Sequence, residues 1–150
     1  MTFKNEAQLK KFLLDKCAKA VDGAKEKVHQ EFDGSINQFY AEYEPIEYIR
    51  TGALAGALES TNAKQISNSV TAKVYFNTPH YRHGLVPLQS GDWGYSYWDD
   101  EYILDVAMTS RFPHGGYGGG TAIWNASLKS LGENNGIKNL LKQELKKQGL

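Results

Sequence analysis

Three histidines supply the residue types from which a metal site could be built. His80 and His83 are three residues apart, and His114 lies downstream, beyond a group of aspartates. Imidazole and carboxylate groups together bind zinc or iron. Ligand pairs usually need a rigid element to fix their spacing, whereas His80 follows Pro79 in a stretch typical of a loop. The sequence therefore favours histidines that hold no metal, and a metal-dependent hydrolase built on these three residues is the least favoured alternative.

The glycine-rich run His114–Gly120 has the composition of a loop that could bind phosphate through its backbone amides. No strongly apolar strand precedes this run, and no Gly-Lys-Ser/Thr follows it. Serine, histidine and aspartate are all present, but no serine has the surroundings of a nucleophile elbow. The sequence therefore disfavours a nucleotide site and a hydrolase triad, and it predicts no cofactor.

Length and composition set broad limits on what the chain can be. Its 150 residues fit one compact domain, spanning residues 1–150. Seventeen basic and seventeen acidic side chains cancel, so nothing in the overall charge predicts a specific nucleic acid as partner. No apolar run approaches a membrane span, and the N-terminal residues lack the apolar core of a signal peptide. The single Cys17 lies among apolar residues, which predicts a buried thiol in a reducing cytoplasm.

The elements that would position these residues begin with a long amphipathic helix from Asn5 to about Tyr43. Its apolar residues recur every three or four positions, and its lysines alternate with acids on a face expected to be solvated. Gly34 follows Asp33 inside this pattern and predicts two helical pieces or one bent helix, because glycine weakens a helix interior. The predicted buried face comprises Leu9, Leu13, Cys17, Val21, Ala24, Val28, Phe32, Ile36, Phe39 and Tyr43.

After the long helix, the pattern changes. Pro45 predicts a turn, the small residues of Thr51–Leu58 predict a short helical turn or loop, and the alternation in Ile66–Phe76 predicts a strand. Prolines and glycines in Asn77–Asp92 are typical of irregular loop.

Two further elements complete the predicted fold. The acids Asp99–Glu101 favour a following helix over a strand, and Ile137–Leu145 predicts an amphipathic helix near the C-terminus. The fold predicted is α+β: a long N-terminal helix packed on a small antiparallel sheet, with short helices and a C-terminal helix.

A dense group of residues lies where the long helix should end. Tyr43 would complete the buried face, Tyr48 would pack under the turn, and Arg50 would stay free to pair with a carboxylate. A helix-to-sheet corner with no further role explains the same residues equally well, and the two interpretations are compatible. The group comprises Tyr43, Pro45, Tyr48, Arg50, Thr51 and Leu54.

This pattern resembles the tail-completion or head–tail connector family of long-tailed bacteriophages and prophages of Gram-positive hosts. Members of that family carry Tyr-x-Pro-x-x-Tyr-x-Arg-Thr-x-x-Leu after a long N-terminal helix, and all six defined positions match here. The later segment Ile103-Leu104-Asp105, leading to His114-Gly115-Gly116, is also similar to the family.

The resemblance implies a small α+β structural subunit without enzymatic activity. Such a subunit would self-associate into a ring at the virion neck and contact the connector, the tail terminator or the tail tube. It would occupy the host cytoplasm during assembly and the virion neck afterwards.

Two segments, the aromatic-rich 77–98 and the glycine run 118–120, have no counterpart in the family pattern. Tyrosine and tryptophan bury large areas while keeping one polar atom in water, so we predict that two loops, 77–98 and 111–121, form an assembly surface. Small phage proteins with aromatic loops also inhibit host enzymes, and a host-interaction or inhibitor protein is therefore the main alternative. The predicted assembly surface comprises Tyr81, Trp93, Tyr95, Tyr97, Trp98, His114, Gly115, Gly116 and Tyr117.

Overall fold

The computed structural model describes residues 2–41, 53–77, 86–87, 93–94 and 123–150. Within these ranges the fold is α+β, as the sequence predicts: a long N-terminal helix packs on small antiparallel sheets and on two C-terminal helices. The helices are α1 (Glu6–Ala41), α2 (Ala53–Ala57), α3 (Ile123–Leu131) and α4 (Gly136–Lys147), with a 3-10 turn at Glu133–Asn135. The strands are β1 (Leu58–Ser60), β2 (Lys64–Ile66), β3 (Ser69–Thr71), β4 (Val74–Phe76), β5 (Val86–Pro87) and β6 (Trp93–Gly94).

Helix α1 runs for 36 residues without interruption. The predicted break at Gly34 into two helical pieces is wrong, because the helix continues through this residue. Gly34 has open space around it, whereas Phe32 and Ile36 on either side are buried in the core. Burial of those two side chains outweighs the roughly 1 kcal/mol by which glycine disfavours a helix.

Strands β1 to β4 form the two arms of one long hairpin. Ser60 pairs with Val74 in the β1–β4 ladder, and Lys64 pairs with Thr71 in the β2–β3 ladder. The first arm thus advances four residues where the second advances three, which places a one-residue bulge between the two ladders. The Thr61 amide donates to the Lys73 carbonyl at 2.9 Å and bridges this gap.

The sequence prediction of a single strand from Ile66 to Phe76 is wrong. This segment contains the hairpin turn at Ser67, whose φ is 55°, and then the interrupted return arm of β3 and β4. Alternating residue types continue through the turn, so periodicity alone gives no sign of it. A positive φ at a non-glycine residue is uncommon outside tight turns, and serine gives little warning of one.

Helices α3 and α4 both pack against α1, and α3 runs antiparallel to it. Ser127 contacts Ser35, Ser130 contacts Glu31, and Glu144 contacts Lys27. The C-terminal helix confirms the amphipathic pattern predicted for Ile137–Leu145. Helix α3, by contrast, lies in a segment to which the sequence analysis assigned no element.

The core lies where α1 meets α2, β1 and α3. It consists of the buried Phe32, Ile36, Leu54, Ala57, Leu58 and Ile123. Partly buried residues close its edges, among them Val28, Val74 and Phe76. The rings of Phe32 and Phe76 meet edge to face with their centroids 6.1 Å apart, a favourable aromatic geometry.

Two predictions on the surface of α1 are corrected. Lys25, expected on the solvated face, is only 9% exposed and forms ion pairs with Glu26 at 2.8 Å and Asp22 at 3.7 Å. Its long apolar stem can lie against the protein while the ammonium reaches these carboxylates. Cys17, expected to be buried, is half-buried, because the core begins further along the helix.

The segment predicted as irregular loop also contains regular pairing. Strands β5 and β6 are antiparallel, with Val86 opposite Gly94 and Pro87 opposite Trp93. Proline lacks an amide proton but retains a carbonyl, so it can take the end position of such a short ladder.

A comparison of two isoleucines tests the position of the core. Ile36 is fully buried and Ile137 is 53% exposed. We expect Ile36→Ala to lower the free energy of unfolding by about 2–5 kcal/mol, because it leaves a cavity. Ile137→Ala should change it by less than about 0.5 kcal/mol. Urea denaturation followed by circular dichroism gives both values, and similar losses from the two variants would contradict this core.

Candidate functional site

The six-residue motif at the end of the long helix is described only at its last position. Tyr43, Pro45, Tyr48, Arg50 and Thr51 lie outside the described residues. Leu54 lies in α2, is 7% exposed and packs in the core with Phe32 and Ile36. The motif therefore begins two residues after the end of α1, and its leucine anchors the next element to the core.

Most of the predicted assembly surface lies outside the described residues. Trp93 is placed in β6 by its backbone pairing with Pro87. The other eight positions are Tyr81, Tyr95, Tyr97, Trp98, His114, Gly115, Gly116 and Tyr117, and none of them is described. The same holds for His80 and His83 and for the segment 99–107 predicted as a helix.

Glu144 is the centre of an ionic cluster between α1 and α4. Its carboxylate is 8% exposed and accepts from Lys147 at 2.7 Å and from Lys27 at 3.2 Å. The hydrogen bond from Lys147 is the main reason why the pKa of Glu144 lies below its ordinary value, although burial acts in the opposite direction. The same contact raises the pKa of Lys147. In the sequence, Glu144 falls at a position of α4 where the helical period expects an apolar residue. A charged residue at such a position indicates a buried charge.

Gly23 makes this cluster possible. A Cβ atom at this position would lie 2.8 Å from the Glu144 Oε2 atom, closer than real Cβ contacts come. The glycine lets the carboxylate lie directly against α1, within reach of Lys27 one turn further along the helix. In the sequence Gly23 only weakens the helical pattern, and its contact with Glu144 could not be predicted because the two residues lie 121 positions apart.

The hairpin is fixed to a different face of α1 by two aspartates. The Asp22 carboxylate accepts from the Ala63 amide at 2.8 Å, beside the bulge. Nearer the hairpin tip, the Gln65 side chain donates to Asp15 at 3.1 Å. These contacts hold the tip alongside the N-terminal half of α1.

An exposed polar group links the two arms of the hairpin. Tyr75 donates its hydroxyl to Glu59 Oε2 at 2.6 Å, and Asn77 donates its side-chain amide to Glu59 Oε1 at 2.8 Å. The hydrogen bond to this carboxylate raises the pKa of Tyr75, because the phenol must stay protonated to donate. Cross-strand pairs of this kind stabilise the hairpin.

Two serines meet where α3 crosses α1. Ser127 is fully buried and donates to the Ser35 hydroxyl at 2.9 Å, and Ser35 in turn donates to the Glu31 carbonyl at 2.9 Å. Each buried hydroxyl therefore has a partner, which removes the penalty of burying a polar group. Their small size lets the two helices approach closely.

The N-terminal part of α1 differs from the rest of the helix. Residues 2–19 include no buried side chain, and Ala20 is the first buried residue along the helix. Leu9 and Leu13, predicted on the buried face, are each 39% exposed. This portion of the helix extends beyond the core.

The described residues form structural ion pairs and hydrogen bonds, and they contain no cluster of the kind that binds metals. Within the described ranges, no three side chains among histidine, cysteine, aspartate and glutamate come together. None of the helices in those ranges combines the length and the apolar composition of a bilayer span.

Comparisons with known proteins identify no relative of this chain. No protein-family model matches the chain, and neither the curated proteins nor the solved structures include a match. The functional argument therefore depends on the motif and on the surfaces of the chain itself.

The ionic cluster predicts how stability depends on pH. The pKa of Glu144 is lowered in the folded chain, so its contribution is present above the ordinary value of 4.5 and is lost as the pH falls through the folded value. We expect the urea concentration at which half of the wild-type protein is unfolded to decrease as the pH is lowered below about 4.5.

Glu144→Gln should be less stable than the wild type at pH 7 and should lose less stability on acidification. Glu133→Gln, at an exposed glutamate, serves as the matched control and should follow the wild type. Parallel acid profiles for the wild type and Glu144→Gln would contradict the role of this carboxylate.

Two glycines of α1 give a second test of the same contact. Gly34→Ala should raise the free energy of unfolding by about 1 kcal/mol, because nothing lies near the new methyl group. Gly23→Ala should raise the free energy of unfolding by less than this or should lower it, because the new methyl group displaces the Glu144 side chain. When Glu144 is also replaced by alanine, Gly23→Ala should raise the free energy of unfolding by as much as Gly34→Ala does, because no carboxylate then lies against the new methyl group. Additive effects in this double-mutant cycle would show that the two residues do not interact.

Proposed function

We propose that this chain is a non-enzymatic structural protein at the head–tail joint of a long-tailed bacteriophage or prophage. In this role it forms a ring and contacts the connector, the tail terminator or the tail tube. It is present in the host cytoplasm during assembly and in the virion neck afterwards. The proposal involves no cofactor, no membrane and no specific nucleic acid.

The observation that carries this proposal is the position of the motif from Tyr43 to Leu54. Its residues follow the 36 described residues of α1 in the sequence and end on Leu54, which is buried in the core. The resemblance to the tail-completion family requires a long helix before the motif and strands after it. Helix α1 and the β1–β4 hairpin supply that order.

The distribution of side chains supports a role based on surfaces. The buried polar residues of the described part form structural contacts, as Ser127 and Glu144 do. Large apolar side chains remain exposed on several elements, among them Leu9 and Leu13 on α1, Ile66 at the hairpin tip and Trp124 on α3. Single exposed apolar residues are common on protein surfaces, but Leu9 and Leu13 lie one helical turn apart and form a contiguous pair, as at interaction sites.

Deletion of the gene from the phage or prophage that encodes it tests the proposal. Electron microscopy of the lysate should show DNA-filled heads and separate tails, because a missing neck component leaves both halves complete but unjoined. A plasmid copy of the wild-type gene should restore tailed particles. Intact infectious virions from the deletion strain would contradict the proposal, and a tight complex with a host enzyme in that strain would support the inhibitor alternative.

The same strain tests the predicted assembly surface. Complementation with Trp93→Ala plus Tyr97→Ala should leave heads and tails unjoined, since aromatic side chains contribute much of the binding energy at interfaces. Ile66→Ala plus Ile137→Ala is the control, because both residues are large, exposed and apolar and lie outside that surface. Circular dichroism of the purified variants checks that each one folds. Full complementation by the double variant would place the joining surface elsewhere.

A further inference from the structure

The N-terminal part of α1 forms a distinct surface, here named the basic arm and defined as residues 2–19. Its helical portion, from Glu6 onward, extends for about 20 Å at 1.5 Å per residue. The contacts that tie it to the rest of the described chain include the one from Gln65 to Asp15. Twelve of its eighteen residues are exposed, and the other six are half-buried.

The basic arm carries an apolar stripe that is covered further along the same helix. Steps of three and four residues lead from Leu9 and Leu13 to Ala20 and Gly23, which places them on one face. Glu144 of α4 lies against Gly23, and α4 ends three residues later at Lys147. Leu9 and Leu13 lie nearer the N-terminus of α1 and are each 39% exposed.

Positive charge surrounds this stripe. The basic arm has five lysines and two acidic residues, and Lys10 and Lys16 lie beside Leu13 on the helix surface. Lys16 already contacts an aromatic ring, with its ammonium 5.5 Å from the centroid of Phe12. An occupant that fits must present both apolar side chains and negative charge.

Among the stretches that combine acidic with aromatic side chains, residues 92–105 are the one that contains tryptophan. Residues 92–105 include five acidic and no basic side chains, together with two tryptophans and three tyrosines. Tryptophan and tyrosine rings can pack on leucines and also attract ammonium groups through their faces. We propose that the basic arm of one copy docks on residues 92–105 of a second copy.

Such a contact joins two different patches of the same protein, so that it repeats from copy to copy. Repetition of a head-to-tail contact generates a closed ring when the rotation closes and a filament when it does not. The inference deepens the proposed function and rests on it for the ring, but the contact itself is a property of the purified chain. Opposite charges also make association faster and dependent on salt.

Sedimentation velocity on the purified full chain tests the contact. The wild type should self-associate at about 100 μM, and the dissociation constant should rise when salt is raised from about 0.05 M to 0.5 M. Leu9→Ser plus Leu13→Ser should weaken association by at least about 10-fold. Its matched control, Ile66→Ser plus Ile137→Ser, removes two other exposed apolar residues and should associate like the wild type.

A charge exchange then tests which two patches meet. Lys10→Glu plus Lys16→Glu should weaken self-association, as should Asp99→Lys plus Asp100→Lys. An equal mixture of the two variants should form mixed complexes, because each supplies the charge that the other lacks. Failure of the mixture to associate, when both variants fold, would overturn the pairing.

Two other outcomes would overturn the inference. One is a wild-type chain that stays monomeric at about 100 μM and about 0.05 M salt, whether or not it binds vesicles of anionic phospholipid. The other is self-association that the Leu9 and Leu13 variant leaves unchanged. A chain that associates as described but is absent from virions would instead contradict the proposed function alone.

Discussion

Burial along α1 is the constraint on which the rest of the structure depends. Helix α2, the strands β1 to β4 and the helices α3 and α4 all pack against it, although they come from distant parts of the sequence. Phe32 and Ile36 provide the apolar centre, where the hairpin and α3 meet the same two turns of helix. The buried residues of α1 lie between Ala20 and Ile36, whereas residues 2–19 include none.

Close approach of the helices depends on small residues and on polar groups with partners. Gly23 admits the Glu144 carboxylate, and the Ser35 and Ser127 hydroxyls occupy the crossing of α1 and α3. In both places a polar group is buried only because its partner is fixed nearby. Removal of one member leaves the other buried and unsatisfied, which costs more than the pair itself contributes. Such pairs fix the register of the helices as well as their distance.

Periodicity in the sequence identifies the long elements because burial of one face imposes it. The long helix, the C-terminal helix and the α+β class were all predictable in this way. Turns and bulges impose no period, so the hairpin tip at Ser67 was missed within a run that alternates correctly. The predicted break at Gly34 was wrong, since a local preference of about 1 kcal/mol is smaller than the burial of the neighbouring core residues. The burial of Lys25 and the contact between Glu144 and Lys27 depend on tertiary packing, which a pattern of residue types does not specify. The motif and most of the assembly surface lie outside the described residues and stay predictions.

The central claim is that this chain is a component of the virion neck. The most direct measurement is mass spectrometry of purified phage particles with isotope-labelled reference peptides, comparing tailed virions with tail-less heads and free tails. The account predicts a fixed copy number per tailed virion, consistent with a ring, in particles that also contain the connector and the tail tube. Absence of the chain from tailed virions, with its accumulation in the cell as a complex with a host protein, would contradict the claim.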